Sequence, residues 1–146
     1  MFIRFQSAVP NGRGTYPGIF AMANGLRDAG LLHDDDARWV QRENALGNRS
    51  YTDPSTVIAD CYDGRPNPGA RSWFKDTAVG LVQMAYRYTA LLDRYGVPWV
   101  ELRTERPGRI VYDDDVQVVA VPFTHEADWP LKEPGRRSSR SQTLRS

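Results

Sequence analysis

From Phe74 to Tyr95, apolar side chains recur at alternating intervals of four and three: Phe74, Ala78, Leu81, Ala85, Tyr88, Leu92 and Tyr95. That interval places all seven on one stripe of an α-helix. A stripe of this length has to be buried, so the spacing predicts a long helix over residues 73–95 as the spine of a core. Ser72 is placed to cap its start, and Gly96 with Pro98 stops it.

The surface that buries the stripe follows from the flanking segments. Residues 2–6, "FIRFQ", alternate in the manner of a first strand. "WVELRT" (99–104), "RIVY" (109–112) and "VQVVAV" (116–121) read as three more, with Pro107-Gly108 as a turn between the first two of them. The simplest assembly is a three-stranded antiparallel meander, joined by the N-terminal strand, with the helix 73–95 packed on one face. "YPGIFAMANGLRDAGLL" reads as a helix: Pro17 suits its first turn, Ile19, Phe20, Ala23 and Leu26 form its stripe, and Gly30 ends it. A further helix is expected from Asp34 to about Ala45, with Gly47 beyond its end. A strand, two or three helices, then a run of strands is an α+β order. Residues 47–72 are loop-rich, and a connection that long inside a domain usually carries function.

A chain of 146 residues buries roughly 68–70% of its unfolded surface, enough for one α+β domain over residues 1–131. The lone Cys61 excludes an internal disulfide and any cysteine-based zinc site. No apolar run reaches the ~20 residues of a spanning helix, and "MFIRFQSAVPNGRG" lacks the apolar core of a signal peptide. The expectation is a cytoplasmic protein.

Two aspartate triplets raise the question of a metal. Asp34, Asp35 and Asp36 follow His33, which is placed as an N-cap, and carboxylates in a first turn meet unpaired N–H groups and the positive end of the dipole. Asp113, Asp114 and Asp115 lie between two strands, where aspartate bonds its own backbone in turns. Local structure accounts for both, so neither a metal nor another cofactor is expected. The glycines of "NGRGTYPG" are spaced GxGxxxG, which is neither a dinucleotide fingerprint nor a P-loop. Arg13 ahead of a helix start can still contact an anion. Cys61 has no local base, and pairing with His125 would require the fold to bring them together. The aromatic residues include Trp73, which a position just before a helix would leave exposed for stacking on a base.

The strongest outward-facing feature is the C-terminal segment. Residues 132–146 hold Lys132, Arg136, Arg137, Arg140 and Arg145 against Glu133 alone, a net of +4. That leaves −3 on the rest of a chain whose total is +1. The segment lacks apolar periodicity and reads as a disordered basic tail. Arg136, Arg137, Arg140 and Arg145 then form a cationic arm for DNA or an anionic membrane surface.

Three segments, "YPGIFAMANGLRDAGLL", "NPGARSWFK" and "GRIVYDDDVQVVAVP", resemble stretches of small actinobacterial proteins encoded on mobile elements near transfer genes. In length and arginine-rich coding the chain is similar to the small spread proteins of Streptomyces conjugative plasmids. The resemblance covers residues 2–122. It implies a non-enzymatic accessory role in plasmid transfer or spread, with other transfer proteins as partners, and it supplies no catalytic residues. Two alternatives stay open: a small enzyme acting on a phosphorylated or nucleotide substrate, and a structural interaction module.

Overall fold

A computed structural model describes residues 1–123 together with the backbone of residues 137–138. The elements are β1 (Phe2–Ser7), α1 (Ile19–Asp28), α2 (Asp34–Ser50), a 3-10 turn at Pro54–Thr56, β2 (Arg71–Lys75), α3 (Val79–Arg94), β3 (Trp99–Thr104), β4 (Arg109–Asp113), β5 (Gln117–Val121) and β6 (Arg137–Ser138). The class is α+β, with an N-terminal strand. The strands hydrogen-bond in the order β4-β5-β2-β1-β3-β6, and β1/β2, β2/β5 and β4/β5 are antiparallel.

This order corrects the expected meander. β4 and β5 form the hairpin, but β3 lies beside β1 and not beside β4. Three strands, β5, β2 and β1, lie between β4 and β3, and β2 sits in the segment assigned to the start of the long helix. Trp73 and Phe74 are both buried, at 0% and 7% exposure, and successive strand residues point to opposite faces, so β2 is covered on both. The four-residue step from Phe74 to Ala78 continues the helical repeat only by coincidence. Between them the chain turns: the Ala78 amide bonds the Lys75 carbonyl and the Val79 amide bonds the Thr77 carbonyl. From there the stripe holds, and Ala78, Leu81, Ala85, Tyr88 and Leu92 are all buried. Trp73 is accordingly a core residue and not an exposed stacking platform.

The described residues divide into two units. The first holds Met1–Arg4, Asp53–Val82 and the described part of Glu101–Arg136. Its frame is β2 paired with β5 in unbroken register from Arg71↔Ala120 to Phe74↔Gln117. β4 follows β5 with a bulge between Ile110 and Tyr112. Cys61, Tyr112 and Val119 form a buried cluster, with Ile58, Ala70 and Val111 packed against it. The loop that contributes Cys61 is built of local turns. Asp53 accepts from the amide and hydroxyl of Ser55, and Asn67 donates to the Asp60 carbonyl. Gly108 is required where it stands: its φ is +133°, and a Cβ there would meet the Val121 carbonyl oxygen at 2.1 Å.

The second unit holds Phe5–Thr52, Gln83–Val100 and the described pair Arg137–Ser138. Tyr88 organises it. Its ring meets Phe20 edge-on at 4.6 Å and Trp39 at 5.2 Å, and its hydroxyl donates to Asn44, which in turn donates to Asn24. Three helices are thereby tied through one side chain and one amide. α2 runs through Gly47, past the expected stop, because Gly47 faces Met84 of α3. A Cβ there would lie 3.5 Å from the Met84 sulfur, so the position is a packing surface and not a terminus. No helix among the described residues is long and apolar enough to cross a membrane.

Candidate anion-binding site

The residues singled out by sequence fall in different places. Arg136, Arg140 and Arg145 lie outside the described residues, as do His125 and Trp129; of Arg137 only the backbone is described, in β6. Arg13 is exposed in the loop between β1 and α1. That loop closes on Asn11, whose side-chain oxygen accepts from the amides of Arg13 and Thr15, both at 3.0 Å. The Gly14 amide bonds the Asn11 carbonyl. The loop's N–H groups are thus turned inward, and an anion there would meet the Arg13 side chain rather than a backbone cradle.

The two aspartate triplets are engaged separately. In the first, Asp36 accepts from the Tyr95 hydroxyl at 2.5 Å and from Arg94 at 2.8 Å. The Tyr95 hydrogen bond holds its carboxyl below the usual range; burial opposes this, and Arg94 reinforces it. Asp35 pairs with Arg38. His33 occupies the N-cap position, but its side chain makes no capping bond; its backbone N–H donates to Tyr95 instead. In the second triplet, Asp114 accepts from the amides of Val116 and Gln117 at 2.9 Å and from the Tyr112 hydroxyl at 2.6 Å. Burial pushes the Asp114 carboxyl up, but these bonds and the charge of Lys75 outweigh it and leave it below the carboxylate range. Asp113 pairs with Lys75 at 2.7 Å. Among the described residues no three His, Cys, Asp or Glu side chains converge as a metal would need.

The convergence of displaced ionisable groups lies elsewhere, on β1, β2 and the 53–70 loop. The Arg4 Nη1 donates to the Ser72 carbonyl at 3.0 Å. Burial pulls the Arg4 guanidinium down to about 9; the like charge of Arg71 adds to this, and Tyr62 partly offsets it. Burial also lowers Arg71, whose Nε reaches the Gly69 carbonyl at 3.4 Å. Tyr62 is 44% exposed, and its hydroxyl lies near the Ser72 side chain, which favours the ionised phenol. Burial first, and the neighbouring Cys61 and Asp53 next, push that phenol up to about 12. Burial raises the Cys61 thiol, with Asp53 and Asp60 adding to it.

Arg4 and Arg71 are both half-buried, and two like charges near each other, with a neutral phenol at hand, make a centre of positive potential. Groups displaced by burial and by one another cluster at functional sites more often than elsewhere. A guanidinium offers five N–H donors in a planar fork. The Cys61 thiol, held above its ordinary value, stays protonated at neutral pH and is a poor nucleophile.

Reading the sequence for motifs missed this cluster. The available signal was Arg4 itself, a cation between the buried Ile3 and Phe5. Its partners, nearly seventy positions away, carry no pattern of their own. No protein-family model, curated protein or solved structure matches the chain.

Proposed function

We propose that this protein is a non-enzymatic binding module for a small ligand carrying a dianionic phosphate group, held by Arg4 and Arg71 with Tyr62 as a further donor. The observation that carries this reading is the like-charged pair itself. Holding two half-buried guanidiniums of like charge near each other costs free energy, and a dianion cancels both charges at once. Planar arginine forks match phosphate oxygens in geometry as well as charge. This keeps the phosphorylated-ligand half of the enzyme alternative. The protonated Cys61 and Tyr62 favour binding over catalysis.

The test is thermal unfolding with inorganic phosphate and with glycerol phosphate, against chloride at matched ionic strength. A ligand that binds only the native state raises the midpoint. Arg71→Met should raise the midpoint of the ligand-free protein by a few degrees, as about 1 kcal/mol does in a domain of this size, and should remove the response to phosphate. A variant that is less stable and still responds to phosphate contradicts the reading.

A second reading is supported by the +4 charge of residues 132–146 and by the resemblance to plasmid spread proteins. In it the protein is a cytoplasmic accessory of a conjugative element, peripheral to the membrane, and it contacts DNA or anionic lipid through Arg136, Arg137, Arg140 and Arg145 alongside other transfer proteins. Fluorescence anisotropy with labelled duplex at two salt concentrations tests it. Binding should fall steeply with salt and vanish in a chain ending at residue 131. Equal binding by both chains removes the tail from the account.

A further inference from the structure

The second unit contains a groove of about 390 Å³ between α2 and α3, lined by Asp35, Asp36, Trp39, Arg42, Arg87, Ala90 and Arg94. It shares no residue with the Arg4–Arg71 cluster. We propose that this groove binds a nucleoside monophosphate, with the base lying against Trp39 and the phosphate on Arg42 and Arg87.

The polarity of the groove carries the argument. Asp36 meets Arg94, Glu43 meets Arg87, and Asn44 meets Tyr88, so the two helices run antiparallel and the groove has two chemically distinct ends. At one end are Arg42 and Arg87. Arg87 is held in place by Glu43, to which it gives Nε and Nη2, leaving Nη1 for a ligand. Arg42 is exposed and has no partner among the described residues. At the other end Asp35 and Asp36 are paired with Arg38 and Arg94, so that end carries no net charge, and the remaining lone pairs of the two carboxylates can accept from ribose hydroxyls or an exocyclic amine. Between them Trp39 is half-buried, with its ring braced by Tyr88 at 5.2 Å, and the small side chain of Ala90 leaves room over it. Asp36 and Glu43 are seven positions apart on α2, about 10 Å at the rise of an α-helix. That is the span from a phosphate to the far edge of its base. The volume lies within the range of small-ligand sites, about 300–1,000 Å³.

A ligand matching only one end would not need the groove. A bare phosphate has no use for Trp39, and a nucleoside has no use for Arg42. Calorimetric titration of the full chain with AMP, adenosine, ribose 5-phosphate and inorganic phosphate therefore tests the proposal directly. AMP should bind saturably, and adenosine and ribose 5-phosphate should each be about tenfold weaker or worse, because each gives up either the charge pairing or a base–aromatic stack. Arg42→Glu, an exposed helical change, should abolish AMP binding without moving the thermal midpoint, and Trp39→Leu should weaken AMP to the level of ribose 5-phosphate. Arg71→Met should leave AMP affinity unchanged. Equal affinities for AMP and ribose 5-phosphate, AMP binding that survives Arg42→Glu, or AMP binding lost in Arg71→Met would each overturn the assignment, the last by moving the phosphate to the Arg4–Arg71 cluster. Failure of AMP to bind overturns it as well, and leaves the response to inorganic phosphate as the separate measure of that cluster.

Discussion

The same tripeptide occurs twice in this chain and does different work in each place. At Asp34–Asp36 it opens a helix, and at Asp113–Asp115 it leads into a hairpin turn. On a helix, successive residues point about 100° apart, so the three carboxylates fan out. Asp34 faces water, Asp35 reaches Arg38 one turn on, and Asp36 reaches α3 to bind Arg94 and Tyr95. In the hairpin it is the middle residue that matters, since Asp114 folds back on the amides two and three positions ahead. The comparison teaches that a charged triplet has no intrinsic role. In each copy one carboxylate is structural, and which one is set by the backbone that carries it.

The largest effect should come from Asp114→Ala. It leaves the buried Tyr112 hydroxyl and two turn amides without their acceptor, at a cost of about 2–3 kcal/mol, read as a lower urea midpoint with an unchanged slope. Asp114→Asn keeps a side-chain oxygen for the amides and should cost clearly less. If the two substitutions cost the same, charge and not turn geometry is what Asp114 supplies.

Asp36→Ala should follow, at about 1–2 kcal/mol, since it removes two charge-assisted bonds and a favourable charge at a helix start. A loss larger than that of Asp114→Ala would reverse the ranking of the two triplets.

Acid sharpens the contrast. Asp36 and Asp114 both hold their carboxyls below the ordinary carboxylate range. The folded protein therefore binds fewer protons than the unfolded chain in that region. Their contribution is fully present above about pH 4 and is lost as pH falls through the folded values. Unfolding followed from pH 5 to pH 2, all about this window, should be less pH-dependent in Asp36→Asn and in Asp114→Asn than in the parent. An unchanged acid slope in either variant would remove that carboxylate from the account.

The smallest effects belong to the outward members. Asp34→Asn, Asp35→Asn and Asp115→Asn should each stay within about 0.5 kcal/mol, as exposed substitutions do. A larger loss at any one of them would mean that its triplet acts as a unit.

The division between what could be read and what could not follows the same line. Residues a few positions apart settle their relationship locally, because closing a short loop costs little chain entropy. The sequence by itself thus determined the start of α2, the end of α1 near Gly30, the β4–β5 hairpin with its aspartate turn, and the buried stripe of α3 from Ala78 to Leu92. Tertiary structure alone decided the rest. Trp73 and Phe74 fit a helical repeat and a strand equally well over so few residues, and only pairing with β5 on one side and β1 on the other selects the strand. That choice inserts β2 into the sheet and breaks the meander. It also brings Arg71 and Ser72 to Arg4, across 68 positions of sequence from Arg4 to Ser72. Arg42 and Arg87 are likewise ordinary surface arginines until two helices pack side by side. A binding site made of single residues from distant segments has no period and no spacing, since its geometry comes from burying the apolar faces of the elements that carry it.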